Sequence, residues 1–113
     1  MIYEIRNYHF DPARFDEYKQ WAKDQALPYL QRELDLIGFW ATGNEPTEVN
    51  GAPMDDMGSA NITWIIRWPD KTTRDANMGG IFATEEWTEI FANVPGGMDS
   101  YHRMESKFTE SLI

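Results

Sequence analysis

The chain has 113 residues, 42% of them hydrophobic and 14% aromatic, enough for one packed domain and too apolar for a disordered one. Ten Lys and Arg against nineteen Asp and Glu give a net charge of −9, which leaves no basic stripe for nucleic acid and disfavours an anionic lipid surface. There is no Cys, so disulfides, thiol nucleophiles and thiolate metal sites are excluded.

No leader-like stretch precedes the first strand, and no apolar run approaches the ~20 residues of a bilayer span. The expectation is a cytoplasmic protein of one domain, residues 1–113. The first predicted strand covers 2–9. Alternation puts Ile2, Glu4, Arg6, Tyr8 and Phe10 on one side and Tyr3, Ile5, Asn7 and His9 on the other, so both sides mix oily and ionisable groups. Asp11-Pro12 reads as an N-cap followed by the first helical position. Phe15, Tyr18, Ala22, Ala26 and Tyr29 then fall at helical spacing, with Pro28 expected to end or kink the helix near Ala26 and a short continuation to follow through Leu34.

A second strand follows over 36–42. Residues 44–60 are rich in Pro, Gly and acid and read as a loop of unusual length. "NITWIIRW" over 61–68 is the clearest strand. A helix begins at "PDKTTRDANM" and is expected to break at Gly79-Gly80. Thr84 caps a further helix with Trp87, Ile90 and Phe91 on one side. The last strand is "DSYHRMESKF", after a turn at Val94-Pro95-Gly96-Gly97.

The order is β-α-β-β-α-β, which implies an α+β, ferredoxin-like fold: a four-stranded antiparallel sheet, the first and third strands central, both helices on one face. The third strand then raises a question of cover. Ile62, Trp64, Ile66 and Trp68 share one side and Thr63 and Ile65 the other, so helices on one face leave an apolar side bare. The expectation is a homodimer with sheets face to face, the Trp64 side at the contact and Glu4 and Arg6 paired there. The alternative cover is the last strand or the long loop.

"YEIRNY" (Tyr3 to Tyr8), "LIGFW" (Leu36 to Trp40), "IIRWPD" (Ile65 to Asp70) and "EEW" (Glu85 to Trp87) stand in the order and spacing of the NIPSNAP-like domain, which the chain resembles over nearly its whole length. That family belongs to the dimeric α/β-barrel superfamily, so the resemblance implies a ferredoxin-like fold and a dimer. Relatives in the superfamily include cofactor-independent monooxygenases, isomerases, cyclases, dehydratases and haem enzymes, and fold does not choose among them. Three features depart from the family pattern: the long 45–60 loop, Met78-Gly79-Gly80 within the second helix, and Trp64 and Ile66 where the family often has His and Trp.

The catalytic candidates are Glu4 as base, Arg6 as anion clamp, Tyr8 as phenolic acid, and His9 and His102 at strand positions near a barrel mouth. His9 is also the candidate ligand if haem is bound; no other cofactor is called for, and His9 with Asp11, lacking a third partner by spacing, makes a poor metal motif. Trp40, Trp64, Trp68, Tyr101 and Arg103 are candidates for holding a flat aromatic ligand, with Tyr101, Arg103 and Glu105 expected on one face of the last strand. Each has an ordinary reading as well: core aromatics, cross-strand ion pairs, or a salt bridge fixing dimer register. Met54 and Met57 make the long loop a candidate lid. Two functions follow: a small enzyme or binder of a hydrophobic or aromatic metabolite, doing acid–base or oxygen chemistry without a dedicated cofactor, or a non-catalytic ligand-binding or interaction module. A cavity of roughly 300 Å³ or more lined by Tyr8, Trp64 and a histidine would favour the first.

Overall fold

The computed structural model describes residues 1–113. Four strands, β1 (Ile2–Phe10), β2 (Leu36–Ala41), β3 (Ile62–Trp68) and β4 (Tyr101–Thr109), form one antiparallel sheet in the order β2-β3-β1-β4, so the first and third are central as expected. Four helical segments accompany them: α1 (Phe15–Trp21), α2 (Leu27–Glu33), α3 (Lys71–Ile81) and α4 (Glu85–Phe91).

The first helical run starts where Asp11 accepts from the Ala13 N–H at 3.0 Å, with Pro12 inside the first turn. It continues past Pro28 to Glu33, as the expected continuation through Leu34 has it, and without a break near Ala26. A π-helical stretch, Ala22–Ala26, joins α1 to α2, and the Leu27 N–H reaches back to the Ala22 carbonyl. Proline lacks an N–H and its ring crowds the carbonyl four residues earlier; the widened turn before Pro28 removes that conflict and keeps the run continuous. The glycines at 79 and 80 do not break α3 either, which continues to Ile81. Asp70 caps it by accepting from the Thr73 N–H at 2.7 Å, and Thr84 caps α4 by accepting from the Trp87 N–H at 3.1 Å.

The helices cover the side of the sheet that carries Glu4, Tyr8, Phe10, Ile62, Trp64, Ile66 and Trp68, all of them buried. This corrects the expected facing: the Trp64 side is not a bare surface awaiting a second copy but the core of a single chain. Strand alternation states which residues share a side and is silent on which side the helices take. Their own stripe of Tyr18, Trp21, Ala22, Ala26, Tyr29 and Leu30 is apolar and packs there. Each large side chain buried in that layer contributes roughly 1.5–3 kcal/mol. Among the hydrogen bonds that tie the helices together are one from Trp21 Nε1 to the Ile90 carbonyl at 2.9 Å and one between the Tyr29 and Thr84 hydroxyls at 2.7 Å.

The opposite face holds Tyr3, Ile5, Asn7, Thr63 and Ile65, all partly exposed; no helix covers it, and the long loop borders it beside Asn7 and Thr63 through Asp55 and Gly58 to Ala60. Trp40 pairs with Thr63 on this side and is 52% exposed. Its ring lies over Gly38 so closely that a β-carbon there would meet it at 2.3 Å, which explains the glycine. Residues 42–61 contain no helix or strand, in agreement with the loop reading.

Candidate functional site

Glu4 is fully buried, and its carboxylate occupies the centre of a polar cluster beneath the helices. Oε1 accepts from Trp68 Nε1 at 3.0 Å and Arg74 Nε at 3.1 Å; Oε2 accepts from Arg6 Nη1 at 2.7 Å and Arg74 Nη2 at 2.9 Å. Burial alone would raise its pKa, but the hydrogen bonds and charges of Arg74 and Arg6 outweigh that and hold it below the usual carboxylate value. With four donors on two oxygens it has no lone pair left for a substrate proton. Arg74 comes from α3, about seventy residues along the chain, and only the packing of that helix on the sheet brings it to β1.

From this cluster Arg6 turns toward a cavity of about 150 Å³ between the sheet and the helices. Arg6 Nε donates to the Tyr8 hydroxyl at 2.6 Å. The guanidinium carbon lies 5.1 Å from the Trp64 ring centre and 5.5 Å from that of Tyr8, so all three groups meet at one end of the cavity. The sheet also contributes Phe39, Tyr101 and Met104 to the lining, and the helices and the segments after them add Tyr18, Trp21, Leu30, Phe82, Trp87 and Phe91. The rings pack edge to face, with Tyr8 and Tyr101 5.7 Å apart and Tyr8 and Trp64 6.2 Å apart.

Burial pushes the Tyr8 phenol above its ordinary value despite the adjacent Arg6, and burial likewise raises Tyr18 and Tyr101. All three phenols therefore keep their protons at neutral pH, and the cavity presents hydroxyl donors without a base. Trp64 Nε1 is buried and makes no hydrogen bond of ordinary geometry, although its N–H lies near enough to the Tyr8 hydroxyl to oppose part of that rise.

Of the residues singled out in the sequence, the structure thus brings Arg6, Tyr8, Trp64 and Tyr101 to one cavity. Trp68 serves the Glu4 carboxylate beside it, and Trp40 lies on the open face. Arg103 is on the open face too, 3.7 Å from Glu105 and largely exposed. Tyr101 does not share that face: the pairing of β1 with β4 shifts between His9 and Phe10, and the irregularity turns Tyr101 toward the helices. His9 and His102 line a separate groove of about 250 Å³ at the end of the sheet, with Asn61, Ser59 and Met57. There His9 Nε2 lies 3.2 Å from the Gly58 carbonyl. The long loop borders this groove and contributes no residue to the aromatic cavity. The helix aromatics of the lining were visible as amphipathic stripes, but spacing alone does not tell a packed stripe from a cavity wall.

No three His, Asp or Glu side chains converge in a way that would hold a metal ion. No helix is long and apolar enough to cross a membrane.

No family model matches the sequence, and no curated protein does. Solved structures match it in fold. A NIPSNAP domain protein from Burkholderia xenovorans is similar over 98% of this chain and 94% of its own, with 19% identity and a TM-score of 0.72. A NIPSNAP family protein of unknown function from Agrobacterium tumefaciens gives a TM-score of 0.74 at 18% identity, over 98% of this chain and 87% of the other. A putative antibiotic biosynthesis monooxygenase from Bacteroides thetaiotaomicron is similar more loosely, with a TM-score of 0.59 and 15% identity over 99% of this chain and 90% of its own. With the similarity to the NIPSNAP proteins running over nearly the whole of both chains, this chain has the NIPSNAP-like fold, a ferredoxin-like α+β architecture.

Proposed function

We propose that the protein binds a small aromatic metabolite in the cavity between its sheet and its helices. The observation that carries this reading is the cavity itself: aromatic walls with few polar groups, the Arg6 guanidinium and the phenols of Tyr8, Tyr18 and Tyr101, the usual division of labour in a ligand site. Its size sets the class of ligand. At about 150 Å³ it is half the volume expected from the sequence for a metabolite site, and a cavity of this size takes a single ring.

Any turnover there is constrained by the protonation of the lining. With Glu4 saturated and the phenols protonated, the site suits reactions in which negative charge builds on a ligand oxygen, with Arg6 as counter-charge and Tyr8 as proton donor. Proton abstraction by a side chain of the cavity is not among them. Trp21, Trp64 and Trp87 line the space, so binding can be read from indole fluorescence. Titration with benzyl alcohol or indole should give a saturable change, and Ala26→Leu, which fills part of the cavity, should abolish it. A linear response in both proteins would overturn the reading.

We propose also that the functional unit is a homodimer joined through the open sheet face. Ile5, Ile65, Tyr3 and the exposed Trp40 make that face apolar at its centre, and a second copy covers it by a twofold contact. The contact therefore excludes the Trp64 side. Sedimentation should give twice the mass of one chain, and Ile65→Glu should halve it; a monomeric wild type at micromolar concentration would remove the dimer.

A further inference from the structure

The donors and acceptors at the polar end of the cavity do not balance. The charged acceptor is spent and the nearest neutral one is already engaged: both Glu4 oxygens carry two donors each, and the Tyr8 oxygen accepts from Arg6. Three donors are left. Trp64 Nε1 is buried and makes no hydrogen bond of ordinary geometry, its N–H lying near a Tyr8 oxygen that Arg6 already occupies, the Tyr8 proton is uncommitted, and Arg6 Nη2 makes no hydrogen bond. An indole N–H can only donate, and leaving it unpaired in a buried site costs free energy that an arriving acceptor recovers.

Charge is unbalanced in the same direction. Glu4 is one carboxylate shared by two guanidinium groups, Arg6 and Arg74. On its outer side Arg74 also faces Asp75 at 3.2 Å, and Asp75 in turn pairs with Lys71 at 2.8 Å. Counting Glu4 and Asp75 against Arg6, Arg74 and Lys71, the cluster keeps one positive charge in a protein whose net charge is −9. Arg6 is the member of the cluster that lines the cavity.

We propose that the ligand is a single-ring aromatic carboxylate, its ring among the aromatic side chains and its two oxygens shared by Arg6, Trp64 and Tyr8. This rests on the aromatic-metabolite reading above and adds the charge. A carboxylate is favoured over a phenol because it is already ionised at neutral pH, and because its paired oxygens suit donors set side by side. The volume is that of one ring and favours a single-ring acid over a polycyclic one.

The test is a set of titrations at neutral pH, read by fluorescence and calorimetry, with benzoate, benzyl alcohol, benzylamine, acetate and 2-naphthoate. Benzoate should bind at least about tenfold more tightly than benzyl alcohol, the factor expected for one charge-assisted hydrogen bond over a neutral one. Benzylamine, acetate and naphthoate should fail. Arg6→Gln should bring the ratio of benzoate to benzyl alcohol affinity close to one. Trp64→Phe, which removes the N–H and keeps a ring, should lower the ratio several-fold, and it stands as the second test if Arg6→Gln does not fold. Equal affinity for benzoate and benzyl alcohol would overturn the carboxylate proposal and leave the aromatic site standing. Failure of every ring compound to bind would remove both.

Discussion

The two faces of one sheet make opposite uses of the same residue types. On the helix side, Glu4 and Arg6 are locked into a cluster in which every carboxylate lone pair is taken, and Trp64 is buried. On the open side, Glu105 and Arg103 face each other at 3.7 Å in solvent, and Trp40 lies exposed across a glycine. The lesson is that composition does not set the role of a charged pair; the number of donors that close around it does. Burial makes the inner pair costly to break and the outer one nearly free.

Substitutions in matched pairs can break that contrast. Glu4→Gln should destabilise the fold by about 3–5 kcal/mol, because two guanidinium groups lose their counter-charge, whereas Glu105→Gln should cost about 0–1 kcal/mol in chemical denaturation. Equal losses would show that the two faces are not electrostatically distinct. Neighbours on β3 give the apolar version. Ile66→Ala, fully buried, should cost about 2–5 kcal/mol, and Ile65→Ala on the open side about 1 kcal/mol or less at concentrations where the chain is monomeric.

Acid sharpens the comparison further. Glu4 has a pKa below its ordinary value of 4.5, so below that pH the unfolded chain takes up its proton before the native one does. The stabilisation from Glu4 is therefore complete above pH 4.5 and declines as the pH falls toward the folded-state pKa. The stability gap between wild type and Glu4→Gln should narrow over that window; a gap independent of pH would mean that the carboxylate is not held ionised by its arginines. The smallest effect is expected from the loop. Removing residues 46–58 shortens a segment outside the core, and since loop closure changes by only ~0.6 kcal/mol per doubling of length, the midpoint should move by a few degrees at most.

Much of the fold could be read from alternation and capping. The strands, the two caps at Asp11 and Thr84, the long loop and the central position of β1 and β3 all follow from local chemistry. What local chemistry does not contain is side. Period two groups Glu4, Arg6 and Tyr8 with one another, and nothing in it assigns that group to helices or to a partner. Tyr101 shows the same gap at one residue, where a shift in pairing with β1 reverses its face relative to Arg103. The helices ran past Pro28 and Gly79-Gly80 because a π turn and tertiary packing override single-residue breakers. Within the site, Arg6 and Tyr8 could be named from β1 alone. Arg74 and the ring walls of Phe82, Trp87 and Phe91 belong to segments distant in the chain, and only the packed arrangement joins them.

The central claim is that ligand enters on the helix side, at the unpaired indole. The most direct measurement follows the five indole N–H resonances by nitrogen-15 NMR during a benzoate titration. The Trp64 signal should shift most, in saturable fashion, with Trp21 and Trp87 following and Trp40 unmoved. A titration in which Trp40 moves while Trp64 stays fixed would place the ligand on the open face and contradict the account.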